Sequence, residues 1–403
     1  MNRTLNRNII TAIILSFSLF INAQDKRTQY PPALLHSYFG VDIGYIGYHF
    51  TSRQLEPGFS AGSIHIPHTA VRVIFGHHIN KYLSAELSYI RPAAFVEYKN
   101  LNTGGDYEVG MNIVGLTIKP AVCISPTLTL NAEAGVAIVT RGGFIVRDAP
   151  GVTDAVFASF LFGGGAIYSI NNKWKLALNA NCSPHNDKSR QPATVFYAAG
   201  FRYNILPISK EKRDHIDSIA FVFPLQMIQL AYTTNVGGYE INRFVSKDAH
   251  IFWGGGVKIK NGISINYQRN IFHSAKVFSL DWGAGLSYLT SRQNTEGIFT
   301  ASLYPIFRFT AIRTKITDLY FVYSFAGPSF ISRTTIDGMD TGEKFTFQDF
   351  MGLGIFSGKN RNLNAEIKII HYSNGNLFPQ NNGLMIPLTF SLGYCINQKI
   401  GKY

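Results

Sequence analysis

Residues 173–182 read Lys-Trp-Lys-Leu-Ala-Leu-Asn-Ala-Asn-Cys. Apolar side chains at positions 174, 176, 178 and 180 alternate with polar side chains at 173, 175, 179 and 181. Successive side chains of a β-strand point to opposite faces, so this period of two predicts a strand with one apolar face and one polar face. The same alternation recurs at 127–138, 263–268 and 299–309, which indicates a chain built largely from such strands.

The composition agrees with a β-rich membrane protein. The chain has 403 residues, of which 46% are hydrophobic and 15% charged, which excludes a disordered chain. No run of 18 apolar residues follows the N-terminal region, so we predict no transmembrane helix. Strands of about 9–13 residues with one apolar face are typical of outer-membrane antiparallel β-barrels, because only a closed sheet pairs every backbone group inside lipid. A secreted β-sandwich is the alternative for such alternation.

The first 24 residues resemble a secretory signal peptide. Arg3 and Arg7 form a basic region, residues 9–21 an apolar region, and residues 22–24 a plausible cleavage region. The apolar stretch is too short for a spanning helix. We therefore predict that residues 1–24 are removed on export and that the protein resides in the outer membrane of a Gram-negative bacterium.

Charge and cysteine content narrow the partners. The formal net charge of +13 could suggest nucleic acid, but the Lys and Arg residues are scattered, so attraction to an acidic surface such as lipopolysaccharide fits as well, and the charge alone decides nothing. With the barrel prediction, we expect lipopolysaccharide as the partner and no nucleic acid. Cys123, Cys182 and Cys395 are an odd number and far apart in sequence. They predict neither a disulfide scaffold nor a structural metal site.

Two groups of strand candidates flank the charged segment 206–217, which we interpret as a linker. Eight precede it, near 37–49, 69–78, 82–91, 107–120, 127–140, 157–170, 173–182 and 193–205. Eight or nine follow, near 219–233, 249–258, 262–271, 276–289, 298–312, 318–332, 345–357, 362–373 and 384–394. Eight strands make the smallest common barrel, so we predict two barrels in tandem, at 25–205 and 218–403. One sixteen-stranded barrel is the alternative.

A polar segment near the C-terminus stands apart from the other strands. Residues 362–385 read Asn-Leu-Asn-Ala-Glu-Ile-Lys-Ile-Ile-His-Tyr-Ser-Asn-Gly-Asn-Leu-Phe-Pro-Gln-Asn-Asn-Gly-Leu-Met. Glu366 and Lys368 belong in a polar interior, which places His371 and Ser373 on the lipid-facing side. Their Cα atoms would be about 6.6 Å apart, so the imidazole can reach the hydroxyl as in a serine hydrolase. The alternative is a solvated polar pair at the edge of a strand.

The pattern His371-x-Ser373-Asn374, followed by Asn381-x-Gly383 and a final strand, resembles the active-site segment of the lipid A 3-O-deacylases (PagL-like acyloxyacyl hydrolases). The motif match covers 371–394, and the surrounding half, about 218–398, is similar in pattern and length. The resemblance implies an eight-stranded barrel with a serine-hydrolase site on its outer wall. It also implies hydrolysis of an ester-linked acyl chain of lipid A.

By this resemblance Ser373 is the nucleophile and His371 its general base, without a metal or organic cofactor. Asn381, and more weakly Asn374, would support the oxyanion. The family's third member is a glutamate 14 residues after the histidine, where this chain has Met385.

Two replacements for that glutamate remain open. Asn382 or Asn381 would orient the imidazole, or an acid would come from a loop, with Asp340 and Asp349 as the nearest candidates. The resemblance by itself does not choose between an amide and a carboxylate.

The N-terminal half, 25–205, resembles small OmpA-like outer-membrane barrels and implies a structural or surface-interaction role. For the whole chain we therefore expect an outer-membrane acyl-ester hydrolase that acts on lipid A. The alternative is a non-catalytic barrel that anchors, binds or stabilises the outer membrane.

Overall fold

A computed structural model describes residues 27–219, 221–249, 251–375, 377–378 and 380–396. The proposed signal peptide, residues 1–24, lies outside the described residues. The chain forms two compact units, one of residues Leu34–Leu206 and one that contains the chain from Pro207 onwards together with the segment before residue 34. None of the helices in the described part is long and apolar enough to cross a bilayer.

The first unit is a closed antiparallel barrel with small additions at its loops. Its strands are β1 Ser37–Tyr48, β2 Ala61–His65, β3 Thr69–Asn80, β4 Leu83–Pro92, β5 Val96–Leu101, β6 Tyr107–Cys123, β7 Leu128–Gly142, β8 Phe144–Val146, β9 Ala149–Val152, β10 Ala155–Ser169, β11 Trp174–Ser183 and β12 Thr194–Asn204. Strands β1, β3, β4, β6, β7, β10, β11 and β12 form the ring, which β1 and β12 close. Each of the eight predicted strands of this half corresponds to one of them.

The second unit is also a closed eight-stranded barrel. Its strands are β13 Gln226–Thr234, β14 Val257–His273, β15 Phe278–Ser291, β16 Gly297–Arg313, β17 Thr317–Ile331, β18 Thr335–Ile336, β19 Met339–Asp340, β20 Phe345–Ser357, β21 Leu363–Ser373 and β22 Leu384–Ile396. The ring runs β13-β14-β15-β16-β17-β20-β21-β22 and closes between β22 and β13. The prediction of two eight-stranded barrels is confirmed, and the sixteen-stranded alternative is wrong.

Helical structure occurs between the strands. The helices are Lys210–Ser218 and Glu240–Arg243, with a π-helical turn at Phe244–Asp248 and 3-10 turns at Pro32–Leu34 and Ser52–Gln54. The first of them lies in the charged segment that we interpreted as a linker. The Ser209 side chain caps it by accepting a hydrogen bond from the backbone N–H of Lys212.

The predicted strand at 249–258 is wrong. Residues 251–256 lie outside any strand, and β14 begins only at Val257. Three glycines, Gly254 to Gly256, let this part of the chain pass close to another loop. A Cβ atom at Gly255 would lie 2.1 Å from the backbone oxygen of Gly383, so only glycine fits there.

Alternation places apolar side chains outside and polar ones inside. In β11, Leu176 and Leu178 are exposed on the outer wall, whereas Asn179 and Asn181 are buried. The interior of the first barrel holds a network of buried ion pairs, formed by Arg72, Glu86, Lys119 and Glu133. Together with a cluster of buried apolar residues that includes Ile46, Ile113 and Val139, these polar side chains fill the interior, as expected for a barrel of this size.

The second barrel has its own buried charge network. Glu366 pairs with Lys368, at 2.9 Å between Nζ and Oε2, and lies 3.8 Å from the guanidinium of Arg308. Arg308 also pairs with Asp281, and the hydroxyl of Tyr320 donates to Glu366 at 2.7 Å. These contacts fix which face of β21 points inward.

Replacing Glu366 by leucine should destabilise this barrel. The change leaves the ammonium group of Lys368 buried without its carboxylate, which costs about 3–5 kcal/mol of unfolding free energy. Urea titration of the protein in lipid vesicles, followed by the gel mobility of the folded barrel, measures the loss. The double variant Glu366→Leu/Lys368→Leu should recover most of it, and an unchanged urea midpoint in the single variant would contradict the assignment.

Candidate active site

His371 and Ser373 end a strand whose two faces are clearly different. On β21 the exposed side chains of Leu363 and Ile367 mark the outer wall, and Glu366 points inward. Because His371 and Ser373 follow Ile367 at even spacing in a strand that pairs regularly with β20, both lie on the outer wall. This is the face that the alternation predicts.

The site lies at the end of the barrel with the longer loops. The connections at this end span 235–256, 292–296, 332–344 and 374–383, whereas those at the other end span 274–277, 314–316 and 358–362. In outer-membrane barrels the longer loops face the outside of the cell. The candidate site therefore sits at the outer-leaflet end of the wall.

Asp349 is the cross-strand neighbour of His371. The two residues pair between β20 and β21, and 3.4 Å separates Oδ2 of Asp349 from Nδ1 of His371. Both side chains are buried. Of the two acids that the sequence offered, Asp340 and Asp349, it is Asp349 that lies beside the imidazole. It comes from a strand, β20, and not from a loop.

A β-bulge in β17 holds Asp349 in place. The register between β17 and β20 shifts between Ser324 and Gly327, directly opposite Asp349. The backbone N–H of Ala326, which has a left-handed φ of 52°, donates to Oδ1 of Asp349 at 2.6 Å. One carboxylate oxygen is therefore fixed by the backbone, which leaves the other to face the histidine.

Met385 flanks His371 on the other side. It pairs with His371 between β21 and β22, so its thioether side chain occupies the position from which the family's glutamate would be expected to act. The carboxylate in this chain comes from β20, the opposite neighbouring strand. His371 thus lies between an acid on one side and an apolar side chain on the other.

Gly383 makes room for the imidazole. A Cβ atom built on Gly383 would lie 2.6 Å from Nε2 of His371 and 2.8 Å from the backbone oxygen of Tyr372. Any larger residue would have to displace the ring or the backbone of β21. The glycine of the Asn381-x-Gly383 pattern is thereby explained by space for the histidine.

Ser373 is half-buried and pairs with Phe347 across β20 and β21. No hydrogen bond joins its hydroxyl to the imidazole of His371 among the described contacts. The Ser373 hydroxyl and the His371 ring therefore share a face without a described hydrogen bond between them. Catalytic hydrogen bonds of enzymes without substrate are often long or unformed.

The three asparagines organise the turn that follows Ser373. The backbone N–H of Asn374 donates to Oδ1 of Asn381 at 2.9 Å, and the Asn374 amide donates to the backbone oxygen of Gln380 at 2.8 Å. The Asn382 amide donates to the backbone oxygen of Asp340 at 2.9 Å. The side chain that contacts Nδ1 of His371 is therefore the carboxylate of Asp349 and not the amide of Asn382. Asn382 instead connects the turn after Ser373 to the β18–β19 hairpin.

The loop between β13 and β14 folds back over the outer wall. We define residues 240–249 and 251–253 as the cover segment. Within it Val245 and Phe252 pack on Ile369 of β21, and the Asn242 amide donates to the backbone oxygen of Ile386 at 3.0 Å. The cover segment is therefore attached to the wall at two strands.

Two aromatic rings of the cover segment lie beside the histidine. The ring centroids of Phe252 and Trp253 are 6.3 and 6.4 Å from that of His371, and Trp253 is nearly parallel to the imidazole. His371 is only 3% exposed as a result. The alternation predicts that His371 faces outward. It does not predict that Phe252 and Trp253 cover the ring, because the pattern of residues 249–258 indicated a strand.

Two closed antiparallel barrels with apolar outer walls and buried charge networks in their interiors define an outer-membrane β-barrel protein. Residues 261–394 match the model of the lipid A 3-O-deacylase (PagL) family. Residues 33–181 match the model of the OmpA-like transmembrane domain. Both resemblances inferred from the sequence are thus confirmed.

The solved structures similar to this chain include an outer membrane enzyme, a surface protein and a β-barrel domain. The outer membrane enzyme PagL is 18% identical, with a TM-score of 0.29, and the match covers 43% of this chain and 99% of that one. Neisserial surface protein A is 13% identical, with a TM-score of 0.29 and coverages of 42% and 97%. The N-terminal β-barrel domain of Pseudomonas aeruginosa OprF is 15% identical, with a TM-score of 0.27 and coverages of 42% and 98%. No curated protein matches this chain.

Removing the two rings should expose the histidine. In the variant Phe252→Ala/Trp253→Ala, we expect His371 to react several-fold faster with diethyl pyrocarbonate than in the unchanged protein, because both rings lie against it. Peptide mass spectrometry measures the modification at His371 alone. Ile241→Ala, an exposed position of the cover segment, is the matched control. Equal rates in all three proteins would contradict this role of the rings.

Proposed function

We propose that this protein is an outer-membrane acyl-ester hydrolase that removes an ester-linked 3-O acyl chain from lipid A. The observation that carries the proposal is the Asp349–His371 pair on the outer wall, with Ser373 two residues further on the same face. All three residues lie within the segment that matches the lipid A 3-O-deacylase family. The lipid-facing position suits a substrate whose acyl chains stay in the bilayer.

In the proposed reaction the Ser373 hydroxyl attacks the ester carbonyl and Nε2 of His371 accepts its proton. Asp349 holds the proton on Nδ1 and stabilises the imidazolium that forms. The imidazolium then protonates the leaving sugar oxygen, so that an acyl-enzyme on Ser373 and a free sugar hydroxyl result. Water, deprotonated by His371, releases the fatty acid and regenerates the serine.

Two local movements would complete this arrangement. The Cα atoms of His371 and Ser373 are separated by two strand residues, about 6.6 Å, so side-chain rotation can bring hydroxyl and imidazole together. The acyl chain also needs space beside Ser373, where the cover segment packs against His371 and Ile369. Entry of lipid would shift Phe252 and Trp253 away from the wall.

For the oxyanion we propose Asn381, because the resemblance of the 371–383 motif to the lipid A 3-O-deacylases assigns this role to it and because it lies in the turn after Ser373. The Asn374 backbone N–H holds Oδ1 of Asn381 and thereby fixes the orientation of that amide group. The turn after Ser373 would in this way present a polar side chain towards the ester oxygen.

For the first barrel we propose a non-catalytic role as a structural or interaction barrel. Its interior is occupied by buried pairs between Arg72, Glu86, Lys119 and Glu133, as well as between Asp42 and Arg202. The alternative for the whole chain, a non-catalytic barrel, is favoured by the burial of His371 and by the lack, among the described residues, of a hydrogen bond between His371 and Ser373. Measurement of lipid products separates the two functions.

The first test is mass spectrometry of lipid A from outer membranes that carry the unchanged protein, Ser373→Ala or neither. We expect the unchanged protein to remove one hydroxyacyl chain, and Ser373→Ala to abolish the removal because no other nucleophile replaces the hydroxyl. Gel mobility of the folded barrel confirms that both proteins are inserted. Identical lipid A in all three samples would exclude the activity and favour the non-catalytic alternative.

The second test concerns the carboxylate. Asp349→Asn should lower kcat by roughly 10²–10⁴-fold, since an amide favours the wrong imidazole tautomer. Asp340→Asn is the matched control, because the Asp340 carboxylate accepts a hydrogen bond from the backbone N–H of Gly342 instead. In the Asp349→Asn background, Met385→Glu places an acid on the other side of His371 and should restore part of the rate. Equal activity of the two single variants would remove Asp349 from the mechanism.

A further inference from the structure

A row of residues that pair across neighbouring strands runs along the outer wall. It begins with Asp349 and His371 of the candidate site and continues beyond them. Near its start β22 pairs with β14 in parallel, with Lys258 opposite Met385, because β13 has already ended at Thr234. Met385 in turn pairs with His371. Paired residues of neighbouring strands point to the same face, so Lys258 shares the outer face with His371. Two strand spacings place their Cα atoms about 10 Å apart.

Arg292 continues this row. Its backbone N–H donates to the backbone oxygen of Lys258 at 2.9 Å. The two cationic groups lie near one aromatic ring, since Nζ of Lys258 and Cζ of Arg292 are 5.5 and 5.6 Å from the ring centroid of Tyr239. The Tyr239 hydroxyl donates to the backbone oxygen of Ile259, which fixes the ring directly before the cover segment.

Neither cation has a carboxylate partner within 4.0 Å among the described residues. The nearby acid, Asp337, accepts hydrogen bonds from the Ser291 hydroxyl and from the backbone N–H groups of residues 293 and 294. Glu296 lies 3.8 Å from Arg333. Two positive charges thus converge on one ring without an ion pair to either carboxylate. The charge of Asp337, whose hydrogen bonds go to residues on both sides of Arg292, offsets only one of the two, so the position suits an anion.

We propose that Lys258 and Arg292 bind a phosphate group on the headgroup of the lipid whose ester bond meets Ser373. A guanidinium binds phosphate oxygens in a bidentate manner, and an ammonium adds a mobile point charge. The position at the outer-leaflet end of the wall is where lipid headgroups lie. The inference deepens the proposed function, and it rests on that function for the identity of the reacting ester.

The spacing fits one phosphorylated sugar. Ser373 lies two residues along β21 from His371, and Lys258 lies two strands away from His371 in the same outer row. An ester and a phosphate on the same sugar ring would therefore meet Ser373 and the cation pair at once. The ligand class is an acylated sugar with a phosphate monoester, bound from the membrane surface.

Hydrolysis of two substrates tests the proposal. We measure hydrolysis by three proteins, which are the unchanged protein, the double variant Lys258→Gln/Arg292→Gln and the control Lys260→Gln. Each protein is assayed separately with phosphorylated lipid A and with enzymatically dephosphorylated lipid A, in vesicles of the same composition. Lys260 is an exposed cation two residues along β14, and the cations that lie over the Tyr239 ring are Lys258 and Arg292. For the phosphorylated substrate we expect KM of the double variant to rise by about tenfold or more, which is the size of a lost charge-assisted contact. KM for the dephosphorylated substrate, and both values for Lys260→Gln, should remain unchanged.

A binding measurement separates this proposal from the proposed activity. Ser373→Ala protein, which cannot turn over, is titrated with both kinds of vesicle, with and without the Lys258→Gln/Arg292→Gln change. Phosphate-dependent binding that the double change removes supports the site even if no hydrolysis is ever observed. Equal weakening for both lipids, or no weakening, would overturn the phosphate assignment. Inorganic phosphate as a competitor should act only weakly, and displacement by low concentrations of it would overturn the headgroup as its source.

Discussion

Pairing of every backbone group within a closed ring is the constraint on which both units depend. Inside lipid no water satisfies a free N–H or C=O, so each barrel must close and each strand must keep a strict inside and outside. In β21 the pair Glu366–Lys368 fixes the inward face. A slip of one residue would bring His371 and Ser373 into the interior and the charges into lipid. The interior ion pair thus determines where the site can be.

Much of this was available from the sequence, because alternation is a local property. The eight strands of each barrel and the outward face of His371 follow from period-two patterns. The outward position of Asp349 could also have been predicted from alternation. It is the one polar side chain in the outward row Phe347, Asp349, Met351 and Leu353, where lipid-facing residues are otherwise apolar. Its pairing with His371 depends on the register between β20 and β21, which the pattern alone does not specify.

The conformation of the cover segment could not be predicted from local sequence patterns. Residues 251–253 are apolar and were grouped with Val257 into a predicted strand. In the structure Phe252 and Trp253, adjacent in sequence, both lie against the ring of His371, which a strand would not allow because it sends neighbours to opposite faces. Tertiary packing on the wall and the following glycines decide this conformation. The bulge at Ala326 likewise has no signal in the composition of β17.

The parallel contact between β14 and β22 has a geometric consequence for the outer rim. Since β13 ends at Thr234 and β14 takes its place beside β22, the circumference narrows from eight strands to seven at that level. Barrel diameter grows with strand number, so the second barrel tapers towards the cell exterior. The narrowing brings Lys258 of β14 directly beside Met385 of β22. The outer rim therefore places a cation one strand closer to His371 than a full ring of eight strands would allow.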